Sequence, residues 1–127
     1  MSNVVLEKQE VNPRARLVTI LGQERVFTAA KVMEQNGVGC LAVVDPQGRL
    51  AGVVSERDIL RWVSNASPSS FDARVTSIMT SEVVSIAPGR PTAEALRLML
   101  AHRVRHLLIV EHGLPVGMIS MRDVAGD

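Results

Sequence analysis

The chain has 127 residues, enough for one compact domain of ordinary size, and its 46% hydrophobic content can fill a core. Fourteen Lys plus Arg against 13 Asp plus Glu leave a net charge of +1, which excludes a general pull toward nucleic acid or an anionic membrane. Phe27, Trp62 and Phe71 are the only aromatics, too few for a base-stacking platform, and the single Cys40 excludes an intramolecular disulfide or a multi-cysteine metal site.

The opening MSNVVLEKQE has no apolar signal core, and no apolar run approaches the ~18 residues of a membrane span, so the expected location is the cytoplasm. LVTI (17–20) reads as a short strand. Val26, Ala29, Ala30 and Met33 recur at helical spacing, which predicts a helix over 26–36 with Gly37 as its left-handed stop. CLAVV (40–44) and LAGVVS (50–55) read as a hairpin across the turn Asp45–Gly48. SERDILRWVSNA then reads as a helix, and SPSSFDARVTS (67–77) as a linker. Beyond it VVSI (83–86) is a strand. Ala95, Leu96, Met99 and Leu100 mark a helix, with Pro91 where its first turn tolerates proline. HLLIV and PVGMIS form a second hairpin across Glu111–Gly113, and a short last helix closes the sequence.

The two halves are one pattern written twice. Met33, Val38, Leu41 and Val44 meet Met99, Val104, Leu107 and Val110 at an offset of 66. After the first hairpin turn the offset is 65, so that GVVSERD (52–58) meets GMISMRD (117–123). A slip confined to a turn is what duplication leaves behind. Each copy reads β-α-β-β-α, with boundaries at 6–66 for the first, 67–77 for the linker and 78–127 for the second. The methionines at 33, 79, 99 and 118 read as core.

Ser55 and Ser120 each end a strand and begin a helix, and Asp58 and Asp123 stand three positions on. Capping alone explains that spacing. The same corner also suits a ligand: a helix start offers N–H groups to phosphate, and a carboxylate accepts from both hydroxyls of a cis-diol. Arg57 and Arg122 serve no capping purpose, and their recurrence favours an anion. His102 and His106 have i, i+4 spacing but lack the glutamate of a zinc helix, and Arg103 and Arg105 would repel a cation, so no metal site is expected. Gly37-Val38-Gly39 follows a helix rather than a strand, which rejects a dinucleotide fingerprint. No nucleophile–base set appears, so the chain is not read as an enzyme.

The tandem pattern of strand, helix, VVD turn, glycine and S-x-R-D resembles the CBS domain, from about Leu6 to Asp127, and SERD and HRVRHLLIV look like the small stand-alone CBS-pair proteins. The resemblance implies an α/β fold of two β-α-β-β-α repeats, packed sheet to sheet about a pseudo-twofold axis with two clefts. It implies that the clefts bind adenine nucleotides (AMP, ADP, ATP, NAD or S-adenosylmethionine) as regulatory ligands rather than required cofactors. Asp58 and Asp123 would hold ribose, and Ser55, Arg57, Arg105, His106, Ser120 and Arg122 the phosphate. Val38, Gly39, Cys40, Thr19 and Ser85 would meet the base. Gly39-Cys40 is the uncharged counterpart of Arg105-His106, so the clefts are unequal and imply one preferred site or two different ligands. The resemblance further implies a homodimer that signals to a regulated protein. The alternative is a ligand-free CBS scaffold for dimerisation or docking. The chain departs from the family at Arg25, which replaces a capping hydroxyl, and at Pro91, which stands at the equivalent threonine position.

Overall fold

Two short hairpins, each joined in parallel by one more strand, organise the chain in the computed structural model, which describes residue 11 and residues 16–66 and 71–125. The expected boundary at residue 6, the start of the linker at 67–70 and the closing residues 126–127 lie outside the described residues. In the first copy, β1 (Thr19–Leu21) leads to α1 (Val26–Asn36), β2 (Cys40–Val44), β3 (Leu50–Ser55) and α2 (Glu56–Asn65). In the second, β4 (Ser85–Ile86) leads to α3 (Thr92–His102), β5 (His106–Glu111), β6 (Leu114–Ser120) and α4 (Met121–Ala125). The sheets have the orders β1-β2-β3 and β4-β5-β6, the first pair parallel and the second antiparallel in each. This is the expected α/β pattern of two β-α-β-β-α copies.

The offset slip falls where the hairpins differ. His112 and Gly113 both have positive φ (53° and 78°), as a two-residue type I′ loop requires. The first hairpin instead runs through a longer turn in which the Asp45 carboxylate accepts from the backbone of Gln47 and Arg49 and from Arg49 Nε. Register shifts at Val43/Val44 and Ile109/Val110 repeat at equivalent positions. Gly37 stops α1 at φ 63°, as its sequence position predicts.

Side chains alternate across a strand, so each sheet has two faces. One face of the first sheet, Ile20, Leu41, Val43 and Val54, packs on Ala29 and Met33 of α1 and on Val75. One face of the second, Ile86, Leu107, Ile109 and Ile119, packs on Ala95 and Met99 of α3, on Val124 and on Val11. The described residues divide into two units accordingly, those within 18–82 and those within 83–125 together with Val11 and residues 16–17. Each core therefore takes a valine from the segment that precedes the other copy.

The stretch that reads as a linker supplies one of these valines. Val75 is fully buried, donates its N–H to the Glu24 carbonyl at 2.8 Å, and is followed by Thr76 donating to Gly22 at 3.0 Å. Ala73 accepts the Val26 N–H at 3.0 Å. That bond satisfies a donor at the start of α1, where Arg25 makes no side-chain cap. Thr80 exchanges backbone hydrogen bonds with Val53, and a Cβ on Gly52 would stand 2.6 Å from the Thr80 carbonyl oxygen. The glycine that opens GVVSERD is thus required by a close backbone approach.

Val75→Ala removes two buried methyl groups and should cost about 2 kcal/mol. Urea unfolding of the variant checks this; a loss indistinguishable from zero would mean the segment does not contribute to the core.

Candidate functional site

The residues of the repeated motif meet where β3 turns into α2 and where β6 turns into α4. Ser55 is the N-cap of α2, in extended backbone (φ −114°, ψ 168°). Its Oγ accepts from the Asp58 N–H at 3.3 Å, while Asp58 Oδ2 accepts from the Ser55 N–H at 2.8 Å and from the Ser55 hydroxyl at 3.0 Å. This is a reciprocal capping box built with aspartate. It holds the Asp58 residue at 8% exposure, the only buried charged residue among those described. The other carboxylate oxygen, Oδ1, has Arg61 Nη1 at 3.8 Å, too long for a hydrogen bond. In the second copy the Ser120 N–H donates to Asp123 Oδ2 at 2.8 Å and the Asp123 N–H to Ser120 Oγ at 3.2 Å, but here the aspartate is exposed.

The neighbouring strand completes each corner. Cys40 pairs with Ser55, and the Glu56 N–H donates to the Gly39 carbonyl at 2.9 Å. His106 pairs with Ser120, and the Met121 N–H donates to the Arg105 carbonyl at 2.7 Å. The structure therefore brings Gly39, Cys40, Ser55 and Asp58 together in one unit and Arg105, His106, Ser120 and Asp123 in the other. Arg57 and Arg122 are exposed on the first turns of the helices.

Thr19 pairs with Ala42 and Ser85 with Leu108, on the sheet faces that carry Cys40 with Ser55 and His106 with Ser120. Both lie one row from the corners and are exposed. Val38 instead packs against the core of its unit. Cys40 is buried, and desolvation, reinforced by the negative charge of Asp58, pushes its thiol up to about 12. The group stays protonated at neutral pH and is no nucleophile. Among the described residues no three His, Cys, Asp or Glu side chains converge to hold a metal ion.

Sequence reasoning missed two features of the first corner. Glu56 lies against Gly39: a Cβ added there would overlap Glu56 Oε1 and stand 3.0 Å from its Cδ. A groove of about 290 Å³ opens beside Asp58, lined by Arg61, Trp62, Asn65, Ala66, Ser77 and Ile78. The i, i+3, i+4, i+7 spacing of 58, 61, 62 and 65 was the signal available for it. A larger hollow of about 710 Å³, lined by residues that include Leu21, Val44 and Asp45, lies at the opposite end of β2 from the corner.

The CBS domain family model matches residues 9–65 and 75–126, that is, both copies. The chain belongs to the CBS-domain family. It is 37% identical over 105 residues to a mitochondrial CBS domain-containing protein of Arabidopsis thaliana, covering 80% of this chain and 51% of that one. The chain thus spans about half the length of that relative. A protein of solved structure from Pyrococcus horikoshii superposes with TM-score 0.83 at 28% identity, over 94% of this chain and 92% of the other. A CBS domain protein from Pyrobaculum aerophilum, solved in complex with AMP, superposes with TM-score 0.77 at 27% identity, over 97% and 89%.

Burial separates the two aspartates energetically. Asp58→Asn should cost about 1–2 kcal/mol through the broken capping box, and Asp123→Asn less than about 1 kcal/mol, in urea unfolding. Equal losses would contradict the difference in burial. Cys40 should resist iodoacetamide at pH 8 in the native CBS pair and react once denatured. Because its thiol pKa is raised in the fold, its contribution to stability is complete below the unfolded value near 9 and is lost as pH rises toward 12.

Proposed function

We propose that this CBS pair is a regulatory protein that binds an adenine nucleotide. The observation that carries the reading is the state of the aspartates. Each carboxylate is oriented by its own helix cap through Oδ2, and Oδ1 of Asp58 has no hydrogen bond among the described residues. Such an oxygen is a prepared acceptor for a ribose hydroxyl. In this reading Asp58 and Asp123 hold ribose. Arg105, His106, Ser120 and Arg122 lie toward phosphate, Ser55 and Arg57 occupy the equivalent positions of the first corner, and Thr19, Gly39, Cys40 and Ser85 lie toward the base. The relative solved with AMP supports the ligand class.

The mechanism is reversible binding that biases the conformation offered to a partner protein, which requires different affinities for the two states. Self-association belongs to the same proposal. Phe27, Leu60, Val63 and Phe71 are exposed in the first unit, where Phe27 stacks on Phe71 at 5.6 Å and meets Trp62 edge-on at 5.3 Å. That apolar surface suits a second copy of the chain. Among the described residues no helix is long and apolar enough to cross a membrane, and we propose a cytoplasmic location.

Calorimetric titration with AMP should give saturable binding in the micromolar range, and Asp123→Ala should weaken it at least tenfold while the fold is retained. No heat with AMP, ATP or NAD, together with a variant that only loses stability, would leave the capping boxes as purely structural corners. The chain would then be a docking scaffold.

A further inference from the structure

The two corners share one backbone and differ in charge. Gly37 and Arg103 occupy the same left-handed position after their helices, at φ 63° and 56°. An arginine there carries a steric cost that glycine avoids. Two residues on, Gly39 stands where the second copy has Arg105. Each accepts the N–H of the residue after the capping serine, and that residue is Glu56 in the first copy and Met121 in the second. Gly39 leaves room for the Glu56 carboxylate, which lies against it, whereas at the position of Glu56 the second copy has the uncharged Met121, which packs against the core of its unit. Arg57 and Arg122 are common to both corners and do not discriminate. Arg61 is drawn to Asp58 at 3.8 Å.

A phosphate monoester carries between one and two negative charges at neutral pH. Beside Ser55 it would meet two carboxylates, Glu56 and Asp58, against Arg57 and an Arg61 already drawn to Asp58. Beside Ser120 it would meet one, with Arg105, His106 and Arg122 close in sequence or register. The cations are side chains, so the second corner does not depend on the short helix α4 as an anion site.

We infer that the corners are sorted by charge: Ser120–Asp123 takes the phosphorylated nucleoside, Ser55–Asp58 takes a nucleoside without phosphate, and Glu56 is the residue that excludes the phosphate. This rests on the nucleotide-binding reading above. The buried Asp58 still offers Oδ1 to a ribose, and the groove beside it is lined by Trp62 and Ile78 as well as by polar groups. Nothing in that arrangement needs a phosphate.

The test uses adenosine and AMP, which differ only in the phosphate, on the whole chain by calorimetry. Wild type should bind AMP at one corner and, with AMP saturating, still take up adenosine at the other. Asp123→Asn should weaken AMP at least tenfold and leave adenosine binding within twofold. Glu56 is exposed, so Glu56→Gln should fold normally, as thermal unfolding will verify; AMP should then bind the first corner about tenfold more tightly. Gly39→Arg with Glu56→Met installs the second copy's pair in the first and should raise AMP uptake by a further equivalent. Two equal AMP sites in wild type, or AMP binding unaltered by both Glu56 variants, would overturn the charge sorting while leaving nucleotide binding intact. A wild-type chain that binds neither ligand is a different result, which overturns nucleotide binding and the sorting with it.

Discussion

The start of a helix leaves N–H groups without partners, and in this chain the answer to that problem sets the geometry of everything nearby. Ser55 and Asp58 exchange hydrogen bonds, and the exchange occupies Oδ2 of the carboxylate from two sides. A side chain held this way has lost its rotational freedom before any ligand arrives. A ribose hydroxyl that reaches the remaining oxygen pays no further cost for ordering it. The bonds that end a strand and begin a helix therefore also prepare an acceptor. For this reason the motif alone cannot separate a capping role from a binding one, since both use the same atoms.

Duplication gives the two corners the same backbone, and their differences lie in side chains that the backbone does not constrain. The register shifts and strand pairings repeat in both copies, and Gly52 is required by the close approach of the Thr80 carbonyl. Glu56 is exposed, and neither Gly39 nor Arg105 belongs to a buried core, whereas Met121, the counterpart of Glu56, packs against the core of its unit. Val11 and Val75 are placed reciprocally. Each core is completed by a residue from ahead of the other copy, so neither core is filled by its own repeat alone.

The elements were legible because their signals are local. Helical spacing from Val26 and Ala95, strand runs at CLAVV and HLLIV, and left-handed Gly37 lie where periodicity and turn chemistry put them. The repeat added what periodicity cannot, namely that Ser55 and Ser120 stand at equivalent corners. Two things were not legible. Val75 lies in a polar stretch with no period, and only tertiary contact makes it core. Glu56 reads as an ordinary first-turn acid favoured by the helix dipole. That its carboxylate folds onto Gly39 depends on a cross-strand neighbour, which a linear reading does not supply.

The second corner adds a link between binding and folding. Helix α4 has five residues, far too few to persist by itself in water. It is held by Val124 in the core beside Ala95 and Met99, and by the bonds between Ser120 and Asp123. Asp123 is exposed, so solvent competes for those bonds more readily than at Asp58. A ligand that engages Asp123 would bind the formed helix and not the frayed one, and mass action would then shift that local equilibrium toward order. Asp58 leaves little such equilibrium to shift, because its cap is buried and complete. Of the two corners, the exposed one is thus the better placed to turn occupancy into a conformational signal.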